Sequence, residues 1–318
     1  MPSRSPDVGW IRGLSVGHAE TPEGTSGVTV VRFDESAPTV VDVRGGASAT
    51  YDTASLSLDA TFGGRWAIFF AGGSLYGLDA ARGIRTRILE TGGGHRAFHN
   101  PNVVVPISGA ALFDLPGRPG PIPDYLPLGY EAARNARRGP VAIGRVGAGA
   151  GATVGKYLGR SRAMRGGIGT AAAPLRPRGS VGVLVAVNAR GAIRDPATGS
   201  WVAGARARDG SVSPPRTERR GRDATTGTTL ALVVTDLAVD RPALARIAAV
   251  AHAGLASAIV PFHSAMDGDV VFAATTRSAG PPPAEGRPGE TADRLGARAA
   301  ELAVAAVLGA VRAASSEA

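Results

Sequence analysis

The sequence predicts a single layered α/β or α+β domain of 318 residues. Short β-branched runs are mixed with stretches of helical periodicity, and the strongest helical patterns lie late in the chain. Hydrophobic residues make up 44% of the chain, which is enough to bury a sizeable core. The last predicted strands have no core of their own and no internal repeat is visible, so we expect residues 1–318 to fold together.

The predicted elements begin with two β-branched runs at 27–33 and 39–44, which intervening turn residues separate into two strands. A short apolar strand at 66–70 is followed by a Gly-Gly pair. A helix is expected over 77–89, because apolar residues recur there on one face. A further buried strand is expected at 103–107.

The middle of the chain is rich in glycine and proline. A loop at 116–127 precedes a predicted helix at 130–138, and a glycine-rich segment covers 144–155. A fully apolar strand is expected at 181–187, with Asn188 at its end.

The sharpest break in composition lies at residues 204–227, which are rich in Arg, Pro, Ser and Thr and nearly free of large apolar side chains. Such a stretch cannot pack a core, so the composition predicts an exposed, mobile loop. A strong strand begins abruptly after it, at 228–235.

The last elements are a helix, a strand and a second helix. Asp240 is expected to cap the first helix, with Pro242 in its first turn. A strand at 270–276, a loop at 278–290 and a long amphipathic helix at 291–314 complete the chain.

Composition excludes several classes of protein and site. The chain has no Cys, which excludes disulfides, thiolate nucleophiles and Cys-ligated zinc. The net charge is +9, but apart from a cluster at 204–222 the basic residues are scattered, and aromatic residues do not alternate with them. The first residues contain no apolar signal segment, and the apolar stretch at 302–311 is shorter than the roughly 20 residues of a membrane span. We therefore expect a cytoplasmic protein with neither a nucleic-acid nor a membrane partner.

No cofactor motif is complete. The segment 147–156 suggests a phosphate-binding loop, but its glycine spacing is wrong and Tyr157 stands where Ser or Thr belongs. The five histidines form no HExxH pattern. Asp267 and Asp269 with His263 have two interpretations, a metal cluster or a turn before a strand. We expect no cofactor and no metal.

Two positions suggest catalysis. Lys156 is the only lysine among 35 basic residues, and a lysine, unlike arginine, shifts its pKa readily when buried. A chance surface lysine is the alternative. Gly227 leaves the carbonyl before Thr228 unshielded at the point where the polar loop meets the strand. Cleavage there would give Thr228 a free α-amine that can deprotonate its own hydroxyl, which is one option among several.

Five blocks occur in order along the chain, at residues 45–47, 71–78, 144–149, 227–229 and 261–269. Together they resemble the self-cleaving β-aminopeptidase/D-aminopeptidase family, and most closely its nylon-oligomer hydrolase branch. The resemblance extends from about residue 10 to residue 315. It implies a four-layer αββα sandwich similar to N-terminal nucleophile hydrolases. It also implies one internal cut, which yields an α chain, 1–227, and a β chain, 228–318.

The resemblance also implies a role for each matching residue. Thr228 would be the nucleophile and the first residue of the β chain, and Lys156 would stabilise its deprotonated hydroxyl. Asn188 matches the amide that stabilises the oxyanion. Asp267 and Asp269 match two carboxylates that orient the threonine amine and balance its charge and that of the lysine.

The sequence departs from the family pattern at two positions. The residue before the cut is Gly227, where many relatives have Asn. Phe113 stands where some relatives have a tyrosine that lines the site, so a hydroxyl is missing. We expect Phe113 and Tyr76 to line the substrate pocket, and the substrate range does not carry over.

The leading functional hypothesis is a self-processing amide hydrolase that acts through an acyl-enzyme on Thr228, with a small amide or peptide as substrate. An acyltransferase that uses an amine as acceptor and a non-catalytic relative are the alternatives. The sequence does not choose among short peptides, β-amino or D-amino amides and linear nylon oligomers. The resemblance also implies a homo-oligomer, a tetramer of α/β pairs.

Overall fold

The fold consists of two β-sheets that lie between two pairs of α-helices. The structure, a computed structural model, describes residues 6–96, 102–115, 120–215, 226–284 and 286–316. Nine strands build the two sheets: β1 Leu14–Glu20, β2 Gly27–Val43, β3 Ala49–Tyr51, β4 Gly64–Ala71, β5 Ile107–Ala111, β6 Gly167–Pro174, β7 Ser180–Asn188, β8 Thr228–Leu237 and β9 Val270–Gly280. The α-helices of the described residues are α1 Ala80–Glu90, α2 Tyr125–Arg134, α3 Arg241–Ala258 and α4 Glu290–Ser316.

Strand β2 connects the two sheets because it takes part in both. Its first half pairs with β1 and β4, and its second half, from Thr39 to Val43, pairs with β9. One sheet therefore has the order β6-β7-β8-β9-β2, and the other contains β1, β2, β4, β5 and β3. The prediction of two strands at 27–33 and 39–44 was wrong. The exposed residues between them lie within one long strand, where its pairing with β4 is irregular.

The side chains of successive strand residues point alternately to two different cores. In β8, Leu230 and Leu232 face the other sheet, where Ile68 and Phe70 of β4 belong to the same core. The intervening Ala231 and Val233 pack towards α3 and α4. A third core lies between the outer face of β4 and helices α1 and α2. These three cores define four layers, which confirms the αββα sandwich.

Short pairings lie outside the two sheets. They are His95–Arg96 with Val103–Val104, Thr153–Val154 with Met164–Arg165, Ala192–Arg194 with Trp201–Ala203 and Ile259–Val260, and Ala205–Arg206 with Val212–Ser213. The last of these is a hairpin inside the segment 204–227, where a mobile loop was expected, so part of this segment is paired. Its mobility stays a prediction. Residues 216–225 lie outside the described part of the chain.

Several predicted boundaries shift in the structure. The buried strand expected at 103–107 lies later in the chain, where β5, Ile107–Ala111, is buried throughout. Val103 and Val104 are exposed. The helix expected at 130–138 begins earlier, at Tyr125, because the Asp124 carboxylate accepts a hydrogen bond from Leu126 N and caps it. Pro127 then falls in the first turn, where its missing N–H breaks no helical bond.

Helices α3 and α4 cover the sheet that carries β8. Asp240 caps α3 as predicted, since its carboxylate accepts a hydrogen bond from Ala243 N. Helix α4 is the only helix in the described residues with the length and hydropathy of a membrane span. Its apolar face, however, packs on α3, β6 and β7, which is the position of a core helix. Strand β9 continues to Gly280, so the loop predicted at 278–290 begins later.

Candidate active site

The sheet brings the predicted site residues to one end of adjacent strands. Asn188 is the last residue of β7, and it lies directly opposite Thr228, the first residue of β8, in the antiparallel pair. Strand β9 runs parallel to β8, so Asp267 and Asp269, just before β9, lie at the same end. A bridge between Gly227 and Asp267 continues this parallel pairing.

The Thr228 hydroxyl lies next to the carbonyl that self-cleavage would attack. Its Oγ1 donates a hydrogen bond of 2.6 Å to the carbonyl oxygen of Gly227. The backbone N–H of Gly268 donates to the same oxygen over 2.9 Å. The Gly227 carbonyl therefore accepts two hydrogen bonds, and one of them comes from a rigid backbone donor. Donors of this kind stabilise the negative charge that develops on a carbonyl oxygen under attack.

Position 227 has no room for a side chain. A Cβ atom on Gly227 would lie under 3.0 Å from the backbone nitrogen of Arg190 and 2.5 Å from Asp267 Oδ1. Such separations do not occur for real Cβ atoms, and a backbone neighbour cannot swing away as a flexible side chain can. The structure thus gives a physical reason for glycine at this position: close packing around the bond between Gly227 and Thr228.

Asp269 is held by the protein on both of its oxygens. Oδ1 accepts a hydrogen bond of 2.7 Å from Thr229 N, next to the proposed nucleophile. Oδ2 accepts from His263 N at 3.1 Å and lies 3.0 Å from His263 Nδ1. His263 adopts a left-handed backbone conformation with φ of 58°, which turns both of these nitrogens towards Asp269. The pair between His263 and Asp269 orients the start of β8.

Asp267 has one satisfied and one unsatisfied oxygen. Oδ2 accepts a hydrogen bond of 2.8 Å from Ser264 N, whereas the buried Oδ1 has no hydrogen-bond partner among the described residues. Burial raises the pKa of the Asp267 carboxyl, bonds from Ser264 oppose the rise, and the charge of Asp269 adds to it. An unpaired carboxylate oxygen beside Gly227 is suited to accept a hydrogen bond from a cationic donor.

Lys156 is completely buried and donates to Asn188. Its Nζ donates hydrogen bonds of 2.6 Å to the Asn188 carbonyl oxygen and 2.7 Å to Asn188 Oδ1. Burial lowers the pKa of the Lys156 ammonium well below its usual range, and the charge of Arg160 lowers it further. The carboxylates of Asp267, Asp114 and Asp269 oppose that change. Lys156 is therefore a buried neighbour of Asn188 and not a chance surface residue; its catalytic role stays a prediction.

The amide of Asn188 is fixed at both ends. Oδ1 accepts from Lys156 and from Thr153 N at 3.0 Å, and Nδ2 donates to the carbonyl oxygen of Phe113 at 3.1 Å. An amide nitrogen has two hydrogens, so a second donor position remains for an oxyanion. Phe113 thus reaches the site through its backbone.

Tyr76 lies in the short helix Ser74–Asp79, which packs beside β3, and its side chain is exposed. None of the described contacts joins Tyr76 to Thr228. The role predicted for Tyr76 in the substrate pocket therefore stays a prediction.

The glycine-rich segment is occupied by contacts within the protein. Gly147–Gly149 forms a single turn, and Ala148 N donates to Thr29 Oγ1. Its backbone N–H groups are consequently not arranged to hold phosphates. Within the described ranges, no group of three or more His, Asp or Glu side chains is placed to hold a metal ion.

Two contributors were missed by sequence reasoning. Gly268 was assigned to a turn only, and nothing in its residue type signals that its N–H reaches the Gly227 carbonyl. His263 was considered only as a metal ligand, although it contacts Asp269. The motif 261–269 was the available signal for both, because it contains His263, Gly268 and Asp269, which contact one another or the start of β8.

The αββα fold of this chain is that of solved aminopeptidases. Among solved structures, the chain is similar to a β-aminopeptidase of Burkholderia sp., with a TM-score of 0.69 and 21% identity over 98% of this chain and 87% of that one. It is also similar to the L-aminopeptidase D-Ala-esterase/amidase of Ochrobactrum anthropi, described as a variant of the Ntn hydrolase fold, with a TM-score of 0.68 and 20% identity over 97% and 86%.

The model of peptidase family S58 matches residues 7–318, and the chain belongs to this family. An uncharacterized aminopeptidase of Mycobacterium tuberculosis is 36% identical, over 96% of this chain and 92% of its own length. A 6-aminohexanoate-oligomer endohydrolase of Kocuria sp. is 32% identical, over 94% and 84%. These relatives confirm the predicted family and a hydrolase that acts on amide bonds, and they do not favour the alternatives of transfer to an amine or loss of catalysis.

Proposed function

We propose that the chain cleaves itself before Thr228 and that the freed Thr228 is the nucleophile of an aminopeptidase or amidase. The observation that carries the proposal is the geometry at Gly227, whose carbonyl oxygen accepts from Thr228 Oγ1 at 2.6 Å and from Gly268 N at 2.9 Å. The nucleophile and an oxyanion donor therefore already flank one peptide bond in the intact chain.

Self-cleavage would proceed in two substitution steps, both at the carbonyl carbon of Gly227. Thr228 Oγ1 attacks the Gly227 carbonyl carbon, the bond to the Thr228 nitrogen breaks, and the hydroxyl proton ends on that nitrogen. The resulting ester is hydrolysed by water, which leaves a carboxylate on Gly227 and a free α-amine on Thr228. The products would be an α chain, 1–227, and a β chain, 228–318. Both would stay in one domain, because β7 and β8 remain paired.

In turnover, Thr228 Oγ1 would attack the amide of a separate substrate molecule. The α-amine of Thr228, with an ordinary pKa of about 7.7–8.0, accepts the proton of its own hydroxyl. Oγ1 attacks the substrate carbonyl carbon, the C–N bond breaks, the proton passes to the leaving amine, and an ester to Thr228 remains. Water then attacks the ester and releases the acid.

The surrounding residues divide the supporting roles. Asn188 donates to the oxyanion through Nδ2, and Lys156 holds the amide oxygen so that Nδ2 stays in place. The unpaired Oδ1 of Asp267 accepts from the new α-amine when that amine is protonated. Asp269 fixes the backbone of Thr229.

The finer properties are proposals by similarity. The relatives are named for aminopeptidase and 6-aminohexanoate-oligomer hydrolase activities, so short peptides and linear amide oligomers are the substrate classes to test. We further propose a tetramer of α/β pairs in the cytoplasm, without nucleic-acid, membrane or metal partners.

The test compares two substitutions of Thr228, one that removes the hydroxyl and one that keeps it. The parent should purify as two fragments and hydrolyse a panel of amides, whereas Thr228→Ala should remain one chain without activity. Thr228→Ser keeps the hydroxyl and should retain both cleavage and turnover at a reduced rate. Cleavage or turnover by Thr228→Ala at the parent rate would refute the proposal.

A further inference from the structure

A pocket of about 360 Å³ lies beside the active site and has a cationic lining. This volume falls within the range of about 300–1,000 Å³ that is common for ligand pockets. Three arginines, Arg145, Arg160 and Arg165, line it together with Asp114 and hydroxyl and glycine residues. The pocket contributes to none of the steps described above.

The pocket and the catalytic end of the sheet share two walls. Thr153 lines the pocket, and its N–H donates to Asn188 Oδ1 over 3.0 Å. Asp114 also lines it, and the preceding residue, Phe113, accepts from Asn188 Nδ2 over 3.1 Å. Asn188 therefore contacts residues of the pocket wall and is also the partner of Thr228 across β7 and β8.

The positive charge of the pocket is only partly neutralised by the described residues. None of the three arginines forms an ion pair with a described carboxylate, and the buried Nε of Arg145 has no hydrogen-bond partner. The carboxylate of Asp114 accepts from Ser26 Oγ at 2.6 Å and from Gly73 N at 2.7 Å. One acidic side chain thus faces three cations.

The arginines also crowd one another. Burial lowers the pKa of the Arg165 guanidinium, and the charges of Arg145 and Arg206 lower it further. Burial likewise lowers the pKa of Arg160, which the charge of Asp114 opposes. A bound anion relieves both the desolvation and the repulsion, and a guanidinium fits a carboxylate through two parallel hydrogen bonds.

We propose that this pocket binds the terminal carboxylate of the amide substrate, on the half that leaves as the amine. The assignment rests on the proposed function and specifies its substrate class. In a linear peptide or amino-acid oligomer, the free carboxylate always belongs to the half released with a new amine. The pocket adjoins Asn188, so the preferred substrates are short acids in which the carboxylate lies close to the bond that breaks.

The experiment compares substrates that differ only at the carboxylate. An α-dipeptide, a β-alanyl dipeptide and the linear dimer of 6-aminohexanoate are each assayed as the free acid and as the terminal carboxamide. The measured quantity is the ratio of kcat/KM for the acid to that for the carboxamide. For the parent we expect a ratio of at least about ten, which corresponds to about 1.4 kcal/mol. The preference should reside mainly in KM.

The variants are Arg145→Gln and Arg165→Gln, which remove one charge from the pocket. Arg160 is left intact, because its charge also acts on Lys156. Each variant should lower the ratio by about tenfold. Arg82→Gln removes an equal charge from the exposed side of α1 and should leave the ratio and the rate unchanged. A parent ratio near one, or a ratio preserved in both variants, overturns the carboxylate site.

A binding measurement separates this proposal from the proposed function. Calorimetry with 6-aminohexanoate and with its carboxamide requires no turnover. Tighter binding of the acid by the parent than by Arg145→Gln or Arg165→Gln supports the pocket even if Thr228 proves not to be the nucleophile. Equal binding of acid and carboxamide by the parent overturns the pocket and leaves the nucleophile assignment intact.

Discussion

Substituting Gly227 by alanine tests whether close packing positions the bond that is cut. The new methyl group would lie under 3.0 Å from Arg190 N, a backbone atom, and 2.5 Å from Asp267 Oδ1. Ordinary contact begins at about 3.4 Å, so the segment around Gly227 must move outward by roughly an ångström or more. That movement displaces the carbonyl that accepts from Thr228 Oγ1 and from Gly268 N.

The size of the effect follows from both packing and geometry. Overpacking of this kind costs typically about 1–3 kcal/mol, which is roughly 5- to 150-fold in a rate. A misplacement of about 1 Å at reacting atoms costs about hundredfold. We therefore expect Gly227→Ala to slow self-cleavage by about hundredfold.

The assay follows the intact chain by gel electrophoresis after synthesis in a cell-free system. The matched control is Gly309→Ala in α4, where an added Cβ meets nothing within 4 Å and the backbone is helical. The control should cleave at the parent rate and be slightly more stable, because alanine is the better helix former. Cleavage of Gly227→Ala at the parent rate would show that packing at this position does not control the reaction.

Three further outcomes are expected. Lys156→Met should lower amide turnover at least about hundredfold, with an unchanged or higher Tm. Lys156→Arg should also turn over slowly, since a larger planar cation does not fit the buried site. Turnover at the parent rate in either variant would contradict this. Burial lowers the pKa of His252 to about 4, so the unfolded chain binds a proton first as the pH falls from 6.5. His252 should therefore contribute a loss of about 3 kcal/mol of stability near pH 4, to which His18 adds, because burial also lowers its pKa to about 4. Urea unfolding should find the loss smaller in His252→Gln than in the parent, and unchanged in His95→Gln. Light scattering should give a tetramer of α/β pairs, and a monomer mass at micromolar concentration would contradict it.

The sequence predicts those strands and helices whose apolar residues or capping residues mark them clearly. β8 and β7 are continuous apolar strands, and the α3 cap is encoded by Asp240, so these were predicted correctly. Strand β6 was missed because it consists mainly of glycine and alanine. The small residues have a tertiary cause: a Cβ on Gly169 would collide with the Ala306 carbonyl of α4. Packing of a helix against a strand does not appear in the periodicity of that strand.

The site shows a similar division. The block at 227–229 contains Thr228, and the family resemblance assigned roles to Lys156 and Asn188 outside the blocks. The structure brings all three to one end of the sheet. Contacts through the backbone, such as Gly268 N with the Gly227 carbonyl, depend on coordinates and not on residue type. The arginine pocket was equally hidden. Its arginines all lie within residues 145–165, but the sequence does not show that a short pairing places Arg165 opposite Thr153 or that Asp114 lines the same space.

The central claim is that the chain cuts itself before Thr228 and exposes that threonine as the nucleophile. Intact mass and N-terminal sequencing of the purified parent test it most directly. We expect two fragments, and the smaller one should begin Thr-Thr-Leu-Ala, residues 228–231. A smaller fragment that begins elsewhere, or a single uncut chain that hydrolyses amides, would contradict the account.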